Sequence, residues 1–255
     1  WTAPVVVSDN FTIMLFHLDN RSAYGENQTY AVDFSDNGNN GTASGNAQPN
    51  VTGGKLAGGW QFDGDSDSIN VSSNARINFV NTGNYTWAAW IYPKTLRSPG
   101  EGILKKCAGG PAGTGYSFYL NSIGGLVIDD CIQTGSSASS TGSVTANRWS
   151  HIAVNYTNGA FTFFINGQTS GSGSLGFQSD TVSILLIGSA EESQNGVQLF
   201  FNGTIDEVVV YNRTLNEREI KDLYRLRVDK YFWKVNVTDG ANQNESETRE
   251  FIVRD

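Results

Sequence analysis

From residue 58 to residue 211 the sequence is a train of short apolar runs closed by Gly, Asn or Ser: GGWQFDG, DSINV, YTWAAWIYP, GILKKC, YSFYLN, GLVIDDC, WSHIAVNYTNG, AFTFFINGQ, VSILLIG and GTIDEVVVY. Runs this short, rich in β-branched and aromatic residues and separated by turn formers, read as strands. FTIMLFHL at 11–18 is another, and DFSDNGNNGTASGN at 33–46 is turn chemistry throughout. Asn166-Gly167 marks a tight hairpin. So many short strands predict an all-β chain, a two-sheet antiparallel jelly-roll sandwich. One segment departs from the pattern. In NEREIKDLY, Asn216 suits a helix N-cap, the first turn is acidic, and Ile220, Leu223 and Tyr224 share a face. It predicts one short C-terminal helix packed on the sandwich.

The net charge of −8 argues against nucleic acid, which needs a basic face. No run approaches the roughly 18 apolar residues of a membrane span. A different signal is abundant. Asn-x-Ser/Thr occurs at Asn10, Asn20, Asn27, Asn40, Asn50, Asn70, Asn84, Asn155, Asn202, Asn212, Asn236 and Asn244, twelve of 25 asparagines. Chance at this Ser and Thr content would give roughly four or five. The excess points to covalent N-glycans and an extracellular or cell-surface location. Asn155 stands apart, because it lies within a strand and its side chain has two faces to choose from. The two cysteines, Cys107 and Cys131, are expected to pair in an oxidising compartment.

The segments MLFHLDN, VDFSDNGNNGTASG, WQFDGDSDSINV, YTWAAWIYP, WSHIAVNYTNGAFTFFINGQ and FFNGTIDEVVVYNRTLNEREIKDLY, in that order, resemble the LamG-like jelly-roll family of the concanavalin A-like lectin/glucanase superfamily. The resemblance covers 11–226 and implies the same sandwich. It also implies a structural calcium between an early loop and a late-strand aspartate, which maps onto Asp33 and Asp206 with Asp19 as a third ligand. The alternative is that these aspartates cap turns. Related glucanases place catalytic carboxylates alternately along one strand, because only alternate residues share a face. Asp206-Glu207, Asp129-Asp130 and Glu191-Glu192 are adjacent, so each pair is expected on opposite faces. His151, inside an apolar run, is expected to be a structural histidine. No catalytic residue, and no enzyme, is expected. Trp60, Trp87, Trp90 and Trp149 sit in strand runs and are expected in the core rather than at a sugar site.

Two pieces fall outside the jelly roll. TAPVVVSDN, within 1–10, is a strand extension without a sheet. YFWKVNVTDGANQNESETREFIV, within 227–255, resembles the last hairpin of an immunoglobulin-like or fibronectin-like domain. Too few residues are present there for such a sandwich, and an isolated hairpin is marginal in water. Tyr231, Trp233, Val235 and Val237 alternate along one apolar face that needs a partner. The expectation is self-association through the terminal strands, with Val5 and Val7 of one subunit completing the C-terminal hairpin of the next. Two alternatives stand beside it: a longer chain that finishes the domain, or ends that fold back on their own jelly roll. The function read from these features is a non-enzymatic, heavily N-glycosylated structural protein, a subunit of a surface filament, on an archaeal surface. The alternative is a calcium-dependent carbohydrate-binding or adhesion module, with a glycoside hydrolase third.

Overall fold

Side-chain alternation with a period of two gives each strand a core face and an outer face, and the core faces here meet in a sandwich. The computed structural model describes residues 8–108, 113–131, 137–192 (backbone only at 108 and 191–192) and 197–225, and beyond them the backbone of four strands. One sheet runs in the order β14 (Gln168–Ser174), β13 (Ala160–Ile165), β12 (Ser150–Thr157), β7 (Asn84–Pro93), β18 (Asn202–Tyr211), β5 (Gly59–Asp63) and β4 (Gln48–Asn50), with β1 (Thr12–Phe16) also on β18. The other runs β11 (Ser137–Ser143), β10 (Gly125–Asp129), β9 (Thr114–Asn121), β8 (Gly100–Ala108), β15 (Leu185–Ile187), β6 (Ser68–Val71), β3 (Gly41–Ser44) and β2 (Tyr30–Ala31). The pairings within both sheets are antiparallel, as the short runs and tight turns require. A hairpin of β16 (Ser189–Glu192) and β17 (Val197–Phe200) pairs beside them.

Trp60, Trp87, Phe163, Ile205, Val208 and Val210 lie in the core between the sheets. The outer face of the first sheet has its own smaller core. There Leu15, Ala88, Ala153, Phe164 and Val209 pack against Leu215 and against Ile220 and Leu223 of helix α1 (Glu217–Arg225). Burying those two helix side chains contributes about 1.5–3 kcal/mol each. The helix begins at a reciprocal cap. Asn216 Oδ1 accepts the Arg218 and Glu219 amides at 3.0 Å, and Glu219 Oε2 accepts the Asn216 amide at 2.8 Å.

At one side of the sandwich the edge strands β11 and β14 close on each other. The Gly142 amide donates to Ser170 Oγ at 3.0 Å. At Gly171, φ is +98°, and a Cβ there would lie 3.1 Å from the Thr141 nitrogen. This close approach explains why both strands, SASSTGS and QTSGSGS, are built of small residues. Beyond the helix, β19 (Lys230–Trp233) pairs with β22 (Arg249–Ile252), and β20 (Asn236–Thr238) with β21 (Gln243–Glu245). Tyr231 stands opposite Phe251 in that register, and Val237 opposite Asn244. Val5, Val7 and Val235 lie outside the described residues, as do the side chains of Tyr231, Trp233, Val237, Asn236 and Asn244.

Candidate functional site

Strand β18 is shared lengthwise. Its first half, Asn202–Ile205, pairs with β5, and its second, from Val208, pairs with β1. Asp206 and Glu207 fall at the changeover, where the register against β7 also slips. Glu207 takes φ +48°, the bulged conformation that inserts one extra residue and resets side-chain parity. Ile205 and Val208 therefore both reach the core, and the two acids between them lie on the outer face. The expectation that they point apart is corrected by this bulge, which adjacency alone does not reveal.

The bulge organises a buried polar cluster. Asp206 Oδ2 accepts the amides of Lys55 and Leu56 at 2.7 and 2.9 Å, and its Oδ1 accepts the Glu207 amide at 2.8 Å. Glu207 Oε2 is 2.9 Å from His17 Nδ1. Asp19 accepts the Gly58 amide at 2.8 Å and pairs with Arg21 at 2.9 Å. Asp206 is 0 % and Glu207 2 % exposed. Burial, then the neighbouring Glu207 charge, holds the Asp206 carboxyl well above the usual range, although the Leu56 and Lys55 amides pull it down. A substrate has no access to acids so enclosed. The sequence links Glu207 to Asp206 only as a neighbour on the opposite face, and it gives no signal for His17 beyond a polar residue in an apolar run.

Asp33 binds β1 itself. Its Oδ1 accepts the Leu15 and Ser35 amides, both at 2.9 Å, and its Oδ2 accepts Ser35 Oγ at 2.8 Å and the Asn39 amide at 2.7 Å. The Gly-rich loop thus turns donors, not carbonyls, toward this carboxylate. Among the described residues no three His, Cys, Asp or Glu side chains converge so as to hold a metal. Asp33 accepts four hydrogen bonds and Asp206 three, from N–H and O–H donors, and this arrangement does not fit a calcium ion. Asp206→Ala is expected to destabilise the protein by about 2 kcal/mol, because two buried amides lose their acceptor. The loss should be equal in calcium and in chelator. A calcium-dependent rise in Tm of the parent that vanishes in Asp206→Ala would restore the metal reading.

His151 is buried, with its ring 5.3 Å from Trp90 and 6.4 Å from Tyr224. Trp60, Trp87 and Trp90 are buried, and Trp149 is half-buried against Tyr92. Cys107 and Cys131 are joined, with their Cα atoms 6.1 Å apart. The bridge ties β8 to the end of β10 across the intervening β9.

None of the ten sequon asparagines with described side chains is buried. Asn10, Asn27, Asn84 and Asn212 are exposed, and Asn20, Asn40, Asn50, Asn70, Asn155 and Asn202 half-buried. Their placement along the sequence is uneven. Between Tyr85 and Phe201 the sequence holds one sequon, Asn155, so β8 to β11 and β13 to β17 carry none. Asn155 differs again: among the described residues it is the one sequon whose amide nitrogen donates within the protein, to the Leu215 carbonyl at 2.7 Å.

The chain enters and leaves the sandwich at different heights. It enters at Thr12, opposite Tyr211, which in turn stands opposite Thr86 near the start of β7. It leaves through α1, whose Tyr224 stacks on Trp90 at 5.7 Å. Thr86 and Trp90 are four residues apart on one strand, about 13 Å, and the nine-residue helix spans the same rise, about 13 Å.

A family profile described as the concanavalin A-like lectin/glucanases superfamily, of laminin G type, matches residues 62–221. That is more than half of the sequence, and the chain belongs to this family. Similar solved structures include the binding domain of Paraclostridial Mosquitocidal Protein 1, with a TM-score of 0.63 and 17% identity, covering 89% of this chain and 58% of that one. Domain 4 of AbnA, a GH43 extracellular arabinanase from Geobacillus stearothermophilus, in complex with arabinotriose, has a TM-score of 0.62 and 19% identity, covering 84% and 98%. Trypanosoma rangeli sialidase has a TM-score of 0.62 and 18% identity, covering 88% of this chain but 34% of its own. At such identities the likeness is one of fold. A comparison with curated protein sequences finds no match.

Proposed function

We propose that this chain is a non-enzymatic, N-glycosylated structural subunit of an extracellular filament, assembled head to tail through its terminal strands. The observation that carries the reading is the separation of entry and exit along the strand direction. Entry at the level of Thr12 and exit through α1 at the level of Trp90 suit a contact between successive copies. Such a contact is heterologous and does not close on itself, so it propagates. Edge strands and apolar strand faces gain most from pairing with another chain. The open sequons support a glycan coat. The enclosure of Asp206, Glu207 and His17 supports a structural rather than catalytic role. No helix among the described residues is long and apolar enough to cross a membrane.

The test is deletion of residues 1–8, followed by electron microscopy. Fibres formed by the parent should be lost, and adding a subunit fused to the missing strand should restore them. Fibres from the deleted chain would overturn strand exchange. A second reading, a carbohydrate-binding module, is favoured by the AbnA domain's complex with arabinotriose. Saturable heat on titration with arabinotriose would support that reading instead.

A further inference from the structure

We propose that Asn155 is closed to glycosylation once the chain has folded, and that sugar transfer to the other sequons follows folding. The inference rests on the reading of the chain as a glycoprotein and adds the order of events. The identical tripeptides Asn84-Tyr85-Thr86 and Asn155-Tyr156-Thr157 lie antiparallel in register on β7 and β12, so each asparagine stands opposite the other's threonine. The two tyrosines face the core, with ring centroids 6.2 Å apart. Asn155 and Thr86 share the outer face, where the segment leading to α1 lies over them. Asn155 Nδ2 donates to the Leu215 carbonyl at 2.7 Å, and Thr86 Oγ1 is 2.7 Å from Asn155 Oδ1. The Leu215 amide donates back to Thr86 Oγ1 at 3.0 Å. Leu215 itself is buried with Ile220 and Leu223 in the small core that holds the helix.

Sugar transfer joins Asn155 Nδ2 to the anomeric carbon of a sugar carried on a phosphate leaving group. The amide loses one N–H proton and the phosphate departs. The nitrogen must turn out toward the transferring enzyme, and a sugar attached to it has no room at 2.7 Å from a carbonyl. Glycan at Asn155 and the docked 213–215 segment therefore exclude each other. Residue 215 follows residue 155 in synthesis. An enzyme acting on the emerging chain would meet Asn155 before this clamp exists and would leave the helix no seat. The docked helix requires the opposite order.

The experiment is site-by-site occupancy by peptide mass spectrometry of the native full chain. Expected are glycan at Asn10, Asn27 and Asn212 and none at Asn155. Thr157→Ala removes this sequon without touching the Asn155 amide, and it should leave the glycan mass unchanged. Leu215→Asp, which lifts the segment, should add one glycan, at Asn155. Thr86 is unsuited to substitution because it also completes the Asn84 sequon. Glycan at Asn155 in native protein, or a lost glycan in Thr157→Ala, overturns the inference and leaves the glycoprotein reading standing. An Asn155 still bare when Leu215→Asp has exposed it also overturns the inference. No glycan at any sequon overturns the glycoprotein reading and this inference with it.

Discussion

Replacing both Cys107 and Cys131 by alanine is expected to cost about 3 kcal/mol of stability, from the freedom regained by the unfolded chain. The bridge closes a loop across a sequence separation of 24. That loop holds all of β9 and β10, strands whose core residues Tyr116, Phe118, Leu120, Leu126 and Ile128 supply part of the wall between the sheets. Cys131 is fully buried, so the truncation also removes packing there. For a domain of this size the fall in Tm should be roughly 6–12 °C. Differential scanning calorimetry of the parent and the double variant checks it. Reduction of the parent should produce the part of the shift that comes from chain freedom, and an unchanged Tm in both would mean that the bridge contributes nothing.

Acid should weaken the fold through His151. Burial lowers its pKa to about 3, whereas an unfolded histidine titrates near 6.5. The folded state therefore refuses a proton that the unfolded state accepts. The contribution of His151 is complete above pH 6.5 and declines as pH falls, by about 1.4 kcal/mol per pH unit until pH 3 is reached. Between pH 7 and pH 4.5 the loss is about 3 kcal/mol. Asp206 and Glu26 act in the opposite direction, since burial raises both carboxyls and protonation relieves the folded state. The comparison that isolates His151 is urea unfolding of the parent and of His151→Phe across this range. Phenylalanine keeps a ring beside Trp90 and Tyr224. The parent should lose about 3 kcal/mol more than the variant by pH 4.5, and parallel curves would contradict a buried neutral imidazole.

Much of the sandwich was legible because its central strands carry apolar residues on both faces or in clean alternation. YTWAAWIYP became β7, with Trp87, Ala89 and Ile91 inward and Ala88 outward. Asn166-Gly167 joined β13 to β14 with both residues at positive φ, and Asn216 capped the helix. The edge strands were not legible. Ser137–Ser143 and Gln168–Ser174 carry almost no apolar signal, because they form by close approach of two backbones rather than by burial of side chains. The bulge was invisible for a related reason. Nothing in Asp206-Glu207 announces φ +48° at the glutamate; the change of partner from β5 to β1 imposes it. Asp33, Asp206 and Asp19, expected as calcium ligands, are buried and accept main-chain amides, with Ser35 Oγ and Arg21 as further partners. A carboxylate drawn to a cation and one drawn to N–H groups read alike in a sequence. Asn155 satisfies the sequon pattern, and its closure depends on a segment beginning 58 residues later, at Arg213.

The central claim, a subunit that polymerises through its ends, is tested most directly by sedimentation velocity of the full-length glycosylated chain over a concentration series, with electron microscopy of the same samples. The account predicts sedimentation that grows with concentration and unbranched fibres in the heavy fraction. A single monomeric boundary at every concentration, with no fibres, would contradict it.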